Sequence, residues 1–475
     1  MIEEGGSAAD SIISVLLCEG VVAPHVVGLG GGFMATIYNK EKGTMESLVA
    51  RETAPAEAHM YMFLNASSVD GALTVGVPGE LKGYWELHKK YGKLPWKQLF
   101  SPAIQLCKEG IRVTPYMAYA MKTIDESYKY EPSLKDMLID PKTNDYKIMG
   151  DLIFRPVLAK TLEIIADKGA DVFYKGEVGR NLVKDLKERG GIITEEDLAN
   201  YKVKWSDPTK AEFINQYSVY STPMPGGGAV LTMILNLINE AKNTYKQMTD
   251  PKFADLIRPL IRDDKVFDDL KYYGSKSGGP EDHGTSAMSV LHPNGDAISV
   301  TSTINFYFGS KIRSPSTGII LNDNLDDFST PGIVNTDGDL SSPYNFIEPG
   351  KRPLSSMCPS IVIDKKGDVK MVLGGAGGTQ IVTAISQVLL KSLVFQESLD
   401  ETINSKRLHH QLLPTLINYE EGFDPEVLEY LVGKGHAIES FGHRSTSAVT
   451  AILVGNLTTE VAFDKRRGGS AAIVN

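Results

Sequence analysis

Gly284-Thr285-Ser286 stands where a polar stretch, 243–282, gives way to alternating apolar residues. A threonine at the start of a strand is ordinarily just a good β-former. A chain cut before Thr285 would give that residue a free α-amine, with a pKa near ~7.7–8.0. Such an amine can take the proton of the neighbouring hydroxyl at neutral pH, which makes a nucleophile without any histidine. The second candidate is Gly374-Gly375-Ala376-Gly377-Gly378, between a strand pattern and an apolar helix pattern. Amide N–H groups at a helix N-terminus lack intrahelical partners and can hold an anion or a developing oxyanion. Glycine lets a substrate come close to that backbone. A plain strand-to-helix turn fits the same residues.

Other chemistries find little support. Gly30-Gly31-Gly32-Phe33-Met34-Ala35 formally fits G-x-G-x-x-A, but a strand pattern follows where a dinucleotide fold needs a helix. A tight turn with close backbone packing is the better reading. The sequence contains no Walker A, HExxH, GxSxG or EF-hand pattern. His409 and His410 are adjacent and cannot share one helix face. The three cysteines, Cys18, Cys107 and Cys358, are far apart and form no CxxC. That usage fits a reducing compartment or a secreted protein without disulfide staples. A formal net charge of -10 opposes binding to phosphate backbones, so nucleic acid is not an expected partner. No run of about 18 apolar residues suggests a membrane span, and no signal peptide opens the chain. Asn65-Ala-Ser and Asn456-Leu-Thr are N-x-[ST] triplets.

The elements that must position these residues follow from periodicity. The 475 residues, 42% hydrophobic and 23% charged, suffice for one very large domain or roughly two to three ordinary ones. Ser7 with Asp10 predicts a capped helix carrying Ile12, Ile13, Leu16 and Leu17. An extended run, Val21 to Val27, leads to the first glycine cluster and a strand, Met34–Tyr38. Helical spacing marks Leu81–Tyr91, Pro102–Glu109, Val157–Lys168 and Glu177–Arg189, and Thr194 with Asp197 predicts another capped helix. Gly226-Gly227-Gly228 precedes a helix from Ala229 to about Lys242. The stretch Asn243–Asp282 reads as partly helical and then an exposed, cleavable loop. Ser286–His292 and Asp296–Ile304 flank Pro293-Asn294-Gly295, a hairpin signal. Ser360–Ile363 and Val369–Leu373 make a second hairpin, followed by a helix, Thr379–Phe395. Ala448–Val454 and Glu460–Asp464 are closing strands. Helices early and hairpins late predict an α+β fold of antiparallel sheets covered by helices.

Several ordered motifs resemble the γ-glutamyltransferase family. They are Gly28–Phe33, Arg51-Glu-Thr-Ala-Pro55, Asp282-His-Gly-Thr285-Ser286, Thr301-Ser-Thr-Ile-Asn305-Phe-Tyr-Phe-Gly-Ser310, Asn345-Phe-Ile-Glu-Pro-Gly-Lys351, Pro353-Leu-Ser-Ser-Met-Cys-Pro359, Gly374-Gly-Ala-Gly-Gly-Thr-Gln380 and Leu408-His-His-Gln-Leu-Leu-Pro414. The resemblance runs nearly end to end.

It implies a four-layer αββα N-terminal-nucleophile hydrolase sandwich. It also implies self-cleavage before Thr285, giving parts 1–284 and 285–475 that stay together as one globular domain. The implied substrates are glutathione and other γ-glutamyl compounds, with water, amino acids or dipeptides as acceptors. By resemblance Thr285 is the nucleophile, Thr303 orients it, and the N–H groups of Gly377 and Gly378 hold the oxyanion. Arg51 would bind the glutamyl α-carboxylate with help from Ser355 and Ser356; Asp327, Asn305 and Asn324 would face the α-ammonium. The mechanism needs no cofactor and no metal. The family's location implies a secreted or cell-surface protein with an extracellular catalytic part.

Four departures from the family stand out. Asn324 replaces the usual Glu or Gln, which predicts weaker glutamyl binding. Ala287-Met288 follow the nucleophile where a histidine is common, which predicts altered packing there. The segment between Glu240 and Asp250 looks shortened. The chain opens inside the family's first helix, as an incomplete sequence would. These departures motivate an alternative, a relative that binds glutamyl ligands or a partner without turnover. A related acylase acting on another amide is a third reading, opposed by Arg51, Ser355 and Ser356.

Overall fold

The computed structural model describes residues 1–475 except 125–127, 130, 215, 239–254, 256–257, 263, 266–283, 334–340, 413–414, 443–446, 456 and 475. Helix α1 (Ala8–Val22) starts as the sequence predicts: the Ser7 hydroxyl accepts from Asp10 N–H at 3.1 Å, and Asp10 accepts from Ser7 N–H at 2.8 Å. Asp10 also accepts the amides of Lys93 and Leu94. This reciprocal satisfaction of end donors is why a buried aspartate is tolerated here. The helix continues through Val22, so the expected extended run from Val21 is wrong in its first two residues. Tertiary burial of Val21 against the core keeps the apolar stripe helical.

Two antiparallel sheets lie at the centre. The first contains β1 (Gly32–Asn39), β2 (Thr44–Ala50), β3 (Lys204–Ser206), β6 (Gly284–Leu291) and β7 (Ala297–Asn305), in the order β6-β7-β1-β2-β3. The second contains β4 (Thr209–Phe213), β5 (Tyr217–Ser221), β8 (Ser360–Asp364), β9 (Val369–Ala376), β10 (Ala448–Val454) and β11 (Thr459–Phe463), in the order β11-β10-β9-β8-β5-β4. On the first sheet lie α1, α2 (Glu80–Tyr91) and, behind α1, α3 (Trp96–Glu109) and α4 (Pro156–Lys168). On the second lie α5 (Gly228–Ile238), α6 (Gln380–Leu393) and α7 (Leu399–Asn404). The layers are therefore helix, sheet, sheet, helix, as the resemblance implies.

The two helix-facing sides carry the large apolar clusters. The slot between the sheets is different. It holds smaller apolar clusters, Tyr38 and Ala297 with Ile361, Val369 and Val372, and Met34 and Val49 with Met357, beside hydroxylic side chains that reach across to the opposite backbone. Ser299 Oγ donates to Leu373 O at 2.7 Å, Thr36 Oγ1 to Pro359 O at 2.7 Å, and Thr450 Oγ1 to Ala287 O at 3.2 Å. Strand alternation explains both faces of β7: Ser299, Thr301 and Thr303 enter the slot, while Ile298, Val300 and Ile304 join the helix-side core.

The predicted hairpins form, as do the second capped helix and the helix after the second glycine cluster. The third predicted helix starts earlier, at Trp96, and holds Pro102 in its interior. The predicted end of α5, nearly all of the cleavable segment and the shortened segment lie outside the described residues. Among those described, no helix is long and apolar enough to cross a membrane.

Candidate active site

The first glycine cluster is the hub of the site, through close approach of backbone. A Cβ on Gly30 would lie 1.9 Å from Ile320 O, one on Gly31 2.1 Å from Thr303 O, and one on Gly32 2.4 Å from Ala50 O. Only glycine lets the start of β1 pass between these three chains. The ends of β7 and β2 and the 320–327 segment thereby converge. The nucleotide reading fails, as expected, because β1 follows the cluster directly.

Thr285 sits on β6, paired with Thr303 on β7, which pairs with Gly32 on β1. Gly32 neighbours Phe33, which faces Ala50, the residue before Arg51. Three strand spacings thus separate Thr285 from Arg51, about 14 Å between backbones.

Thr303 is the junction. Its hydroxyl donates to Gly284 O at 2.6 Å and accepts from Asn305 N–H at 2.8 Å. Thr285 Oγ1 lies 3.3 Å from the same oxygen. The ladder shifts register between Gly284 and Thr285, so the bond joining them lies at a bulge. Bulges re-aim side chains beside functional sites.

At the far end, Arg51 and Asp327 form a buried ion pair. Arg51 Nη2 also donates to Leu354 O at 3.3 Å, and Nη1 lies 3.4 Å from Glu52 Oε2. Asn324 Nδ2 donates to Asp327 Oδ2 at 2.8 Å. Burial pushes the Asp327 carboxyl up, and Arg51 and Asn324 pull it back. The Oδ1 atoms of Asn324 and Asn305 are buried without a hydrogen-bond donor among the described residues. Ser355 and Ser356 follow Leu354 and are half-buried, with Ser355 Oγ accepting from Met357 N–H at 3.3 Å. Arg51, Asp327, Asn324 and the segment leading to Ser355 are thus in direct contact, while Asn305 Nδ2 donates to Asp323 O at 3.4 Å in the same loop. The direct pairing of Arg51 with Asp327 goes beyond what the sequence indicated.

A cleft of about 290 Å³ opens beside Thr285, lined also by Ala376, Thr450, Glu19, His25 and Tyr116 among others. None of the residues around Arg51 lines it. Ser286 faces the helix layer, and its hydroxyl donates to Glu19 at 2.8 Å. Burial raises the pKa of Glu19. The ring of His25 is held neutral, its pKa pushed down to about 3 by burial, with Arg467 adding to the effect. Ala376 leads into Gly377 and Gly378, whose φ angles are 123° and 60°. Neither glycine amide donates to another described group.

The sequence model of the Gamma-glutamyltranspeptidase family matches residues 1–244 and 238–474. This chain belongs to that family. It is 39% identical to Scoloptoxin SSD14 of Scolopendra dehaani, over 99% of this chain and 89% of that one. It is 37% identical to Glutathione hydrolase proenzyme 1 of Schizosaccharomyces pombe, over 93% and 76%. It is 34% identical to Glutathione hydrolase 5 proenzyme of Rattus norvegicus, over 99% and 89%. The fold matches that of a cephalosporin acylase from Bacillus halodurans with a TM-score of 0.85 at 21% identity, covering 99% of this chain and 92% of that one.

Several residues of this transpeptidase family member support the site without having been singled out for it. Asn322 donates to Gly30 O and Gly76 O and accepts from the Asn324 amide, which locks the 322–327 loop onto the glycine hub. Asn345 Nδ2 donates to Asp327 O at 2.7 Å, while its Oδ1 accepts from Leu354 N–H. Asn345 opens a motif quoted for the resemblance, and Asn322 lies two residues before the candidate Asn324, so a signal existed. Tyr201, donating to Arg51 O at 2.8 Å, and Glu80, accepting from Ser302, carried none. Ala287 meets Gly374 across the slot, so two small residues pack where a histidine is common.

Proposed function

We propose that this protein cuts itself before Thr285 and then cleaves the γ-glutamyl amide of glutathione and related compounds. The observation that carries this reading is the Thr303 hydroxyl, which contacts both Thr285 Oγ1 and the carbonyl of Gly284. In self-cleavage, Thr285 Oγ attacks the Gly284 carbonyl carbon, whose oxygen Thr303 polarises. The C–N bond breaks, leaving Gly284 esterified to Thr285 Oγ and freeing the Thr285 amine. Water then hydrolyses the ester.

In turnover the freed amine takes the hydroxyl proton, and Oγ attacks the γ-carbonyl. The N–H groups of Gly377 and Gly378 receive the oxyanion, a kind of donor whose loss costs roughly 2.7–4 kcal/mol. The amine leaves with a proton, and the γ-glutamyl ester passes to water or to the amine of an amino acid or dipeptide. A glutamyl zwitterion offers each member of the Arg51–Asp327 pair its opposite charge. Its carboxylate takes the guanidinium, with Ser355 and Ser356 beside it. Its ammonium takes Asp327 and the free oxygens of Asn324 and Asn305.

Parts 1–284 and 285–475 remain associated in this reading. Both sheets support that: β7 pairs with β1, and β8 pairs with β5, so each part supplies strands to each sheet. The family resemblance supports action outside the cell or at its surface.

Mass spectrometry of the incubated chain beside Thr285→Ala tests the proposal, together with release of p-nitroaniline from its γ-glutamyl anilide. Two fragments, the smaller beginning at Thr285, with turnover in the wild type alone are expected. An intact, inactive wild type that still binds glutamate would overturn it in favour of a binding protein.

A further inference from the structure

Gly377 makes an unusually close contact with a distant segment. A Cβ built on it would lie 2.6 Å from Ser447 Cα, so backbone packs directly on backbone. Ser447 is buried and precedes β10. Its amide donates to Gln380 Oε1 at 3.1 Å. Gln380, the first residue of α6, in turn donates its own amide to Gly377 O at 3.2 Å. The three residues close a ring: Gly377 to Gln380 through the main chain, Gln380 to Ser447 through its side chain, and Ser447 back onto Gly377 by contact. Arg407 backs the ring, donating to Ser447 O at 2.9 Å and pairing with Asp464 at 2.8 Å.

We propose that Gln380 is a positioning residue for the Gly377 and Gly378 amides, acting through Ser447. This rests on the oxyanion role given to those amides above. The physical argument concerns what holds a loop of glycines still. Gly377 and Gly378 lie at positive φ, without side chains to anchor them. Glycine carries the largest backbone freedom of any residue, so its geometry must be imposed from outside. Ser447 is the wall that imposes it, and the Gln380 carbonyl fixes the wall. Without that acceptor the Ser447 amide is left buried and unsatisfied, and the segment turns to seek another partner. The glycine amides then lose their aim at the site beside Thr285. Gln380 touches neither substrate nor the reacting atoms, so its loss acts on the transition state and leaves glutamyl binding alone.

Steady-state kinetics on γ-glutamyl-p-nitroanilide separates these effects, with active sites counted on the cleaved enzyme. Gln380→Met keeps the reach but removes the acceptor. Its kcat is expected to fall about 10- to 100-fold, the range for a displaced catalytic donor, with KM within about twofold. Gln380→Glu keeps an acceptor oxygen and is expected within about fivefold of wild type. Inhibition by a boronic-acid analogue of the γ-carboxyl, which forms a tetrahedral adduct, should weaken in parallel with kcat, while inhibition by glutamate holds. An unchanged kcat in Gln380→Met, equal losses in Met and Glu, or KM moving with kcat would each overturn the proposal. Should Gln380→Met fail to fold, Gln380→Ser, polar but too short to reach Ser447, carries the same expectations. A wild type without turnover, by contrast, would refute the γ-glutamyl reading itself.

Discussion

Replacing Glu80 by glutamine should make the protein more heat-stable at neutral pH and leave it unchanged in mild acid. Glu80 is buried in the first turn of α2, under the sheet that carries Thr285. It accepts from Tyr84 at 2.5 Å and from Ser302 at 3.0 Å. Burial raises its pKa from 4.5 to about 8, the two hydroxyls oppose the shift, and Glu52 adds to it. The folded protein therefore keeps a proton that the unfolded chain has already lost between these two values. Stability is full below the unfolded pKa of 4.5 and falls as pH rises toward about 8. The slope is about 1.4 kcal/mol per pH unit, so the loss at pH 7 is on the order of 3 kcal/mol. Glutamine mimics the protonated acid and escapes this loss, since its carbonyl still accepts from Tyr84 and Ser302. An unfolding entropy of ~2.1 cal/mol/K per residue over a chain of this length converts 3 kcal/mol to about 3 °C in Tm. Differential scanning calorimetry of both proteins at pH 5, 6, 7 and 8 reads it directly. A Tm difference that stays flat across this range, or a wild type that gains on the variant as pH rises, would refute the reasoning.

Three further outcomes are expected. Thr303→Val removes the donor to Gly284 O and should slow self-cleavage by about 10²- to 10³-fold, read from the half-life of the intact chain; cleavage at the wild-type rate would discount Thr303. Asn324→Glu should lower KM for γ-glutamyl donors by roughly tenfold, the worth of a charged hydrogen bond to the ammonium; an unchanged KM would show that position 324 does not face it. Asp327→Asn breaks the buried pair with Arg51 and should cost about 3–5 kcal/mol of stability besides abolishing glutamyl binding. Denaturation midpoints matching wild type would mean that Glu52 alone suffices for Arg51.

Local chemistry made much of this molecule legible in its sequence. The Ser7–Asp10 box, the Pro293-Asn294-Gly295 turn and the period-two runs of β6 to β9 depend on neighbours a few residues away, and they form as read. The end of α1 and the early start of α3 depend instead on burial against distant elements, and there the reading slipped. The order of motifs identified the family and, through it, candidate residues for the site. What tertiary structure alone decided is how those residues meet. Composition and spacing could not reveal that Gly30-Gly31-Gly32 threads three backbones together, since two of the three contact partners, Thr303 and Ile320, lie hundreds of residues away. Nor could they show that Arg51 rests on Asp327, that Thr303 reaches Gly284 O, or that Ser447 walls the Gly377 loop. Each is a contact of a few ångströms between separate chain segments, and only the packing of two sheets face to face brings them together.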